Sequence, residues 1–212
     1  NLDSGLTFQR NNDRNGIEIR TCVLFVDIRN SVKMNDEHKK QTVARIYSSF
    51  IYGVLKIAKE WGGHVRNIIG DRVMVVFDEE NCCYNAVSCA AMIMAFAKNV
   101  MAKVISSGSF DCGIGIHYGI MDVVKVGLTV QGQENKDYQN LGWIGEPANL
   151  ASRLTDVAAK YIKGIKTPHI LISGDVRDGI KGYDYYKQFQ YVENSLFRNI
   201  DFKVYGCNLY IE

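Results

Sequence analysis

The sequence predicts a single α+β domain, because short apolar runs that end in polar turns alternate with long stretches of helical periodicity. These segments follow one another in the order strand, helix, strand, strand, helix, strand, with a further strand, a helix and small strands after them. That order is typical of a ferredoxin-like, split βαβ core in which helices pack on a sheet. The 212 residues are enough for one sizeable core.

Composition narrows the class of protein. Hydrophobic residues at 47% and charged residues at 23% are ordinary for a globular protein, and a net charge of +2 argues against a nucleic-acid partner. The six cysteines lack paired metal-ligand spacing, so we expect core thiols in a reducing cytoplasm. We expect no apolar run as long as the roughly 20 residues of a membrane span, and no signal peptide is visible.

The first strand ends on a carboxylate. Residues 1–16 form a polar arm, and the domain is expected to occupy residues 17–212. The strand at 17–26 is apolar on both faces in its second half and leads directly into Asp27. A carboxylate at the end of such a strand needs a cation, because an unpaired buried charge is costly. After a polar turn, apolar spacing predicts a helix over 36–61.

A second carboxylate lies at a tight turn. Strands at 64–69 and 72–77 are predicted to form a hairpin around Gly70 and Asp71. Alone, either aspartate reads as a turn residue. Together, at strand ends beside free backbone N–H groups, the two aspartates could hold a hard cation and a triphosphate.

The second half of the chain continues the pattern. Gly113 and Gly115 lie within a predicted strand, so another backbone or a ligand is expected close by. Asn149 and Arg153 are four residues apart and project from one face of a predicted helix. The remaining predicted segments are a helix at 81–105, a hairpin of strands at 110–118 and 121–130, a polar loop at 131–141, a helix from 147 to about 163, and strands at 169–172, 189–192 and 202–211.

Three blocks resemble one family when they are taken together in order. VLFVDIRNS, HVRNIIGDRVMVVF and WIGEPANLASRL are similar to the catalytic domain of class III nucleotidyl cyclases, from residue 23 to the end of the chain. The resemblance implies that Asp27, the carbonyl of Ile28, and Asp71 bind two divalent cations, Mn²⁺ or Mg²⁺. It implies that Asn149 and Arg153 are the transition-state residues.

The resemblance also implies a reaction on a nucleoside triphosphate. One metal activates the ribose 3′-hydroxyl for attack on the α-phosphate, and the other grips the β- and γ-phosphates. Arg153 would meet the charge that develops on the α-phosphate, and Asn149 would orient the ribose. The N–H groups of the turn at Asn30 and Ser31 would cradle phosphates. Lys203 lies near the family's triphosphate-binding lysine.

The same resemblance implies a symmetric homodimer. In this family, the metal-binding aspartates of one subunit work with the asparagine and arginine of the other. This chain carries both sets, so two equivalent shared sites follow, and a monomer should be nearly inactive.

The residues that read a purine are missing. Adenylate cyclases carry a lysine in the hairpin and an aspartate or threonine before the third helix, and guanylate cyclases carry glutamate and cysteine. Here the positions hold Asn67, next to Arg66, and Gly142 or Trp143. An amide could read a pyrimidine edge, and Trp143 or a tyrosine such as Tyr47 could narrow the pocket. Strand alternation lets only one of Arg66 and Asn67 face the base, and we expect Asn67.

A class III cyclase domain that lacks the purine-reading residues resembles the pyrimidine cyclases of bacterial Pycsar antiphage systems. This resemblance implies that UTP is converted to cyclic UMP as an alarm signal. CTP is the second choice, and a purine nucleotide with unusual base contacts is the third. A reading of another class is a catalytically silent regulatory module. A diguanylate-synthesising domain is disfavoured, because the turn at Gly70 and Asp71 is not of the GG(D/E)EF type.

Overall fold

The structure, a computed structural model, describes residues 16–105, 110–130, 133–197 and 200–210. The α-helices are α1 (Ser31–Glu37), α2 (Lys40–Glu60), α3 (Cys82–Phe96), α4 (Ala102–Val104), α5 (Glu146–Val157) and α6 (Gly174–Gly179), and a π-helical segment, Ala97–Met101, joins α3 to α4. The strands are β1 (Gly16–Ile28), β2 (Gly63–Ile69), β3 (Arg72–Phe77), β4 (Cys112–Val130), β5 (Gln133–Ile144), β6 (Tyr161–Ile162), β7 (Ile165–Lys166), β8 (Ile170–Ser173), β9 (Gln190–Val192) and β10 (Val204–Cys207). The predicted arm at 1–16 lies almost wholly outside the described residues and stays a prediction.

Eight of the ten described strands form one mixed sheet, in which β1 is an interior strand, and β6 and β7 pair as a separate two-stranded sheet. The strand order is β2-β3-β1-β4-β8-β10-β9, and β5 pairs with β4. β1 is antiparallel to both of its neighbours, β3 and β4, and β8 is parallel to β4. The ferredoxin-like α+β prediction is confirmed.

The central strand is covered on both sides, as its sequence predicted. Leu24 and Val26 point into the large core formed with α2 and α3. Val23 and Phe25 point to the opposite side and pack near Ala151 of α5. We call this second side the α5 face. Asp27 follows the same alternation, so its carboxylate also belongs to the α5 face.

Two glycines of β4 let α5 lie directly on the sheet. A Cβ at Gly115 would come within 2.3 Å of the carbonyl oxygen of Ala151, and one at Gly113 would meet the Arg29 guanidinium. The predicted close approach at these glycines is therefore confirmed, and the approaching group is the backbone of α5 together with an arginine.

The predicted hairpin at 110–130 is wrong. β4 is one continuous strand of 19 residues, and the segment predicted as a polar loop pairs with it as β5. Gly119 makes no turn. Instead, a Cβ at this position would lie 3.1 Å from Cγ of Pro147, so the glycine leaves room for the start of α5.

Two predicted helix bounds are also wrong. The helix expected at 36–61 starts at Lys40, because His38 is extended and a separate short helix, α1, precedes it. The helix expected to reach 163 ends at Val157. There, the last carbonyl groups accept hydrogen bonds from side chains distant in sequence: the Thr167 hydroxyl donates to Val157, and Arg29 Nε donates to Ala158.

The helical stretch Cys82–Val104 has 23 residues and is long and apolar enough to cross a membrane, since an 18-residue window within it has a mean hydropathy of 1.4. The prediction that no run approaches this length was therefore wrong. However, 56% of the apolar window is buried inside the protein, where α3 contributes to the large core. One buried helix of this kind is weak support for a membrane span.

The six cysteines are free and buried. Cys22 of β1 lies against Cys82 and Cys83 at the start of α3, within the large core. Their prediction as small core residues is confirmed.

Candidate active site

Asp27 and Asp71 meet at one end of the sheet. Asp27 is the second-last residue of β1, and Asp71 lies in the two-residue turn that joins β2 to β3. Gly70 opens that turn with a positive φ of 61°, which favours glycine. Since β3 is the neighbour of β1, the turn carries Asp71 to the Asp27 end of the strand.

The pKa of the Asp71 carboxyl is raised above its usual value. Burial raises the pKa of the Asp71 carboxyl, and the charge of Asp27 raises it further. The backbone N–H of Asp71, the Ser31 side chain and the Arg72 guanidinium act in the opposite direction. Oδ2 of Asp71 is buried and has no hydrogen-bond partner among the described residues. Two neighbouring carboxylates, one with an unsatisfied oxygen, fit the oxygen ligands that Mg²⁺ and Mn²⁺ prefer.

Backbone or substrate oxygens would have to complete such a site. Across the described ranges, no cluster of three or more His, Cys, Asp or Glu side chains could hold a metal ion. Ile28, whose carbonyl was the third predicted ligand, directly follows Asp27 at the end of β1. Its place in the chain agrees with that prediction.

Two arginines that the sequence analysis did not single out contact Asp27. Oδ2 of Asp27 accepts hydrogen bonds from Nη1 of Arg29 at 3.0 Å and from Nη2 of Arg72 at 3.1 Å. Each arginine follows an aspartate closely in sequence. Arg29 is two residues after Asp27, in the turn that follows β1. That spacing was the available signal.

Arg29 fastens α5 to the end of β1. Its side chain is almost fully buried, and its Nε donates to the carbonyl of Ala158 at 2.8 Å. A second nitrogen donates to the carbonyl of Thr155. The Thr155 hydroxyl in turn donates to the carbonyl of Phe25 in β1. The position of α5 relative to Asp27 is thus set by side chains from both elements.

Asn149 and Arg153 lie on the exposed side of α5. Ala151 and Leu154 of the same helix are fully buried against the sheet. Asn149 and Arg153 are exposed, and the hydrogen bonds found at Asp27 come from Arg29 and Arg72 instead. The structure therefore brings the two aspartates together, and it turns the two predicted transition-state residues outward.

A β-bulge changes which side chains face the predicted base site. Val65 pairs with Val75 and Asn67 pairs with Met74, so Arg66 is an extra residue in β2. Met74 packs on the α5 face, and Asn67 opposite it shares that face. The prediction that strand alternation admits only one of Arg66 and Asn67 is wrong, because the bulge interrupts the alternation.

Arg66 lies over the indole ring of Trp143. The centre of its guanidinium is 5.5 Å from the ring centroid, and its Nε is buried without a partner among the described residues. Trp143 packs on the α5 face beside Ala148. A Cβ at the neighbouring Gly142 would point toward Val124 and Val126 instead. Of the two alternatives left open by the sequence, the tryptophan is the one on the face with Asn67. Tyr47 packs with the large core on the other side of the sheet.

The model of one protein family matches most of the chain. The family is described as the adenylate and guanylate cyclase catalytic domain, and the match covers residues 18–189. The chain belongs to this family.

Cyclases of several nucleotide specificities are among its relatives. The chain is 28% identical over 143 residues to a uridylate cyclase of Burkholderia cepacia, covering 65% of this chain and 59% of the relative. It is 29% identical over 160 residues to a uridylate cyclase of Xanthomonas perforans, covering 75% and 67%. An adenylate cyclase of Anabaena cylindrica is 26% identical over 147 residues, covering 67% and 28%. A cytidylate cyclase of Staphylococcus aureus is 27% identical over 106 residues, covering 46% and 25%. The chain thus spans well under two thirds of the length of several relatives.

Solved cyclase structures share the fold. The adenylyl cyclase CyaB from P. aeruginosa superposes with a TM-score of 0.70 at 20% identity, covering 90% of this chain and 94% of that one. The guanylyl cyclase Cya2 gives 0.73 at 16% identity, with coverage of 93% and 95%. A dimeric guanylyl cyclase domain from Blastocladiella emersonii gives 0.63 at 19% identity, with coverage of 90% and 94%.

The two predicted phosphate contacts of this cyclase domain lie in different places. Asn30 adopts a left-handed conformation before α1, which has seven residues and is separate from the long helix that the turn was predicted to begin. Ser31 lies next to Asp71. Lys203 is exposed and precedes β10, where its carbonyl accepts a hydrogen bond from the N–H of Gly174.

Lys203 therefore lies far from Asp27 of its own chain. Pairing through β8 puts it level with Tyr118 of β4, five residues beyond Gly113, which is opposite Asp27. At a rise of about 3.3 Å per residue, the separation along the strand is about 16 Å. Within one cyclase chain, Lys203 and the aspartates thus belong to different ends of the sheet.

Proposed function

We propose that this cyclase domain converts a nucleoside triphosphate, UTP first among them, into the 3′,5′-cyclic monophosphate and pyrophosphate. The observation that carries the proposal is the pair of neighbouring carboxylates at Asp27 and Asp71, because Oδ2 of Asp71 is buried and has no hydrogen-bond partner among the described residues. Such a pair suits two divalent cations, Mn²⁺ or Mg²⁺, held with the Ile28 carbonyl. When bound, these cations supply activation of the 3′-hydroxyl and neutralisation of the triphosphate charge.

The side chains of α5 supply the rest of the chemistry. The 3′-oxygen forms a bond to the α-phosphorus, the bond from that phosphorus to the bridging oxygen breaks, pyrophosphate leaves, and the hydroxyl proton passes to solvent. Arg153 donates hydrogen bonds to the α-phosphate oxygens as their charge grows, and Asn149 holds the ribose in line for attack.

The outward orientation of α5 supports a shared site. Asn149 and Arg153 are exposed, while Asp27 of the same chain is engaged by Arg29 and Arg72. A two-fold symmetric homodimer would let α5 of one subunit complete the site of its partner, with two equivalent sites. Lys203, at the other end of the sheet, would then reach the triphosphate held by the partner's aspartates.

The β2 bulge supports uracil over cytosine. Arginine has only hydrogen-bond donors, and an amide has both donors and an acceptor. Uracil presents two carbonyl acceptors that flank an N–H, whereas cytosine presents an amino donor in place of the 4-carbonyl and an acceptor nitrogen in place of the N–H. With Arg66 opposite the 4-position of the base, its donors would pair with uracil and be repelled by the cytosine amino group. Arg66 and Asn67 together therefore complement uracil, with Trp143 as an apolar wall. CTP is the second choice, and a purine nucleotide is the third.

The biological role that we propose is signalling in antiphage defence, on the ground of the resemblance to pyrimidine cyclases described above; the uridylate cyclases among the relatives support the choice of nucleotide. A cyclic pyrimidine mononucleotide would act on a separate effector. The cytoplasm, where buried free thiols stay reduced, is the compartment that suits such a protein.

The test is an assay with four nucleotides. Purified protein is incubated with Mn²⁺ and with ATP, GTP, CTP or UTP in separate reactions, and products are identified by mass. We expect cyclic UMP from UTP, and we expect Asp27→Asn to abolish it, because the second carboxylate alone cannot hold both cations. A cyclic product from CTP or a purine nucleotide alone would refute the uracil assignment and leave the cyclase assignment in place.

A catalytically silent regulatory module is the second candidate, and one observation favours it. Asp27 already has two arginine partners, so its charge is compensated by the protein itself. If the purified dimer makes no product from any of the four nucleotides with either cation, this second function replaces the first.

A further inference from the structure

Arg72 joins the predicted metal site to α5. Its Nη2 donates to Oδ2 of Asp27 at 3.1 Å and to Oδ1 of Asp156 at 2.5 Å. Its Nη1 donates to the hydroxyl of Ser152 at 3.0 Å. The side chain is 24% exposed, so these contacts are partly shielded from water. One guanidinium thus bridges β1 and the helix that carries Asn149 and Arg153.

The contacts on α5 are next to the predicted transition-state residues. Ser152 is three residues after Asn149, and Asp156 is three residues after Arg153. At 3.6 residues per turn, all four side chains lie on one side of the helix, within about 100° of arc. A change in the hold of Arg72 on this side therefore changes the direction in which Asn149 and Arg153 point.

Arginine is the residue type that this geometry requires. Its planar fork offers several donors at fixed angles, whereas a lysine offers one nitrogen on a flexible chain. Two carboxylates and a hydroxyl surround Arg72, and one of these carboxylates is Asp27. Arg72 and a divalent cation would therefore compete for the same carboxylate.

We propose that Arg72 is a positioning residue that competes with the divalent cation for Asp27, and that the release of Arg72 from Asp27 changes how it holds α5. The inference rests on the proposed cyclase function. When a cation takes Asp27, Arg72 is left to Asp156 and Ser152 and holds α5 through them. In a symmetric homodimer, that helix serves the partner's site, so cation binding at one site orients the transition-state residues of the other.

The first measurement needs no turnover. Free Mn²⁺ is measured by electron paramagnetic resonance during titration of the wild type, Arg72→Met and Arg45→Met, an exposed arginine of α2 that serves as the matched control. We expect Arg72→Met to bind Mn²⁺ about tenfold more tightly, because a competing positive charge is gone. Arg45→Met should bind as the wild type does.

A double variant is expected to move the affinity in the opposite direction. Ser152→Ala combined with Asp156→Asn removes the α5 partners and leaves Arg72 to Asp27 alone, so Mn²⁺ should bind several-fold more weakly, on the order of threefold. A residue that only stabilises the fold would not give shifts of opposite sign. Unchanged Mn²⁺ affinity in both variants, with folding confirmed by circular dichroism, would overturn the competition.

The second measurement uses activity to separate the two proposed roles of Arg72, its competition at Asp27 and its hold on α5. Heterodimers are purified with two different affinity tags, and only one of the two subunits carries Asp27→Asn. The one remaining active site then combines α5 of the Asp27→Asn subunit with the metal-binding aspartates of the other subunit. Arg72→Met on the Asp27→Asn subunit should lower kcat about tenfold or more and leave the Mn²⁺ requirement unchanged. On the other subunit, it should lower the Mn²⁺ requirement instead.

The outcomes distinguish this inference from the proposed function. If the wild type makes no product, the cyclase proposal fails, while the Mn²⁺ titrations still test the competition. If the wild type is active and Arg72→Met has the same effect on either subunit, the coupling through α5 is wrong. Rescue of kcat by Arg72→Lys to the wild-type value would also refute it, because a lysine lacks the planar fork that fixes the directions of the three contacts.

Discussion

Arg66 and Asn67 differ in the hydrogen-bonding groups that they bring to the proposed base site. At the residue scale, we predict that Arg66→Met raises KM for UTP about tenfold and narrows the preference over CTP, because one charge-assisted hydrogen bond of about 1.5–3 kcal/mol is lost. Asn67→Ala should raise KM for both pyrimidines. Steady-state kinetics with UTP and CTP measure these changes, and Arg45→Met is the control.

The opposite pattern would contradict this assignment. If Arg66→Met leaves the ratio of kcat/KM values for UTP and CTP unchanged, then Arg66 braces Trp143 and does not read the base. The 5.5 Å contact between the two side chains makes that role the direct rival.

The sequence revealed the aspartates of the site but not their partners. Asp27 and Asp71 stand out because each follows or precedes an apolar strand at a turn, which is a local signal. Arg72 is beside Asp71, but its contacts with Ser152 and Asp156 span 80 and 84 residues. No local pattern indicates such contacts, because they depend on where α5 docks.

At the scale of elements, the docking of α5 depends on space above β4. Gly115→Ala would put a methyl group 2.3 Å from the carbonyl oxygen of Ala151 and 2.4 Å from the N–H nitrogen of Thr155. Both are backbone atoms and cannot move aside alone. We predict a loss of about 3 kcal/mol or more in the free energy of unfolding, measured by urea denaturation.

The control for this prediction is a glycine with open space around it. Gly164→Ala meets no atom within 4 Å but has a positive φ of 82°, so it should cost about 1 kcal/mol. If the two alanine variants lose similar free energy, α5 does not rest on β4 as closely as described.

The elements that the sequence predicted correctly are those with strong local periodicity. The existence of β1, β2, β3 and α2 was predicted from such local patterns, although α2 begins four residues later than expected. The hairpin expected at Gly119 failed because a glycine that clears Pro147 looks the same in sequence as a glycine that turns the chain. The end of α5 failed for a related reason. Thr167 and Arg29 bind its last carbonyls, and both come from outside the helix.

At the scale of the whole molecule, complementation tests the shared site. Asp27→Asn and Arg153→Ala should each be inactive as homodimers. Mixed in equal amounts and allowed to re-associate, half of the dimers are mixed, and each mixed dimer has one intact site. We therefore predict about a quarter of the wild-type activity.

The activity of the mixture is measured over time after mixing, with each single variant alone as the control. Recovery should follow the rate of subunit exchange. A mixture that stays inactive while mass spectrometry detects mixed dimers would show that each chain uses its own Asp27 and Arg153, and the symmetric shared site would be wrong.

The bulge in β2 has a consequence for how such a protein changes over generations. β2 is an edge strand, and its extra residue puts a guanidinium next to an amide where a regular strand would offer one side chain. Gain or loss of a single codon at Arg66, with no substitution elsewhere, would therefore replace the chemistry presented to the base. We expect in-frame deletion at this position to be a recurrent route by which descendants of this chain exchange one nucleotide for another.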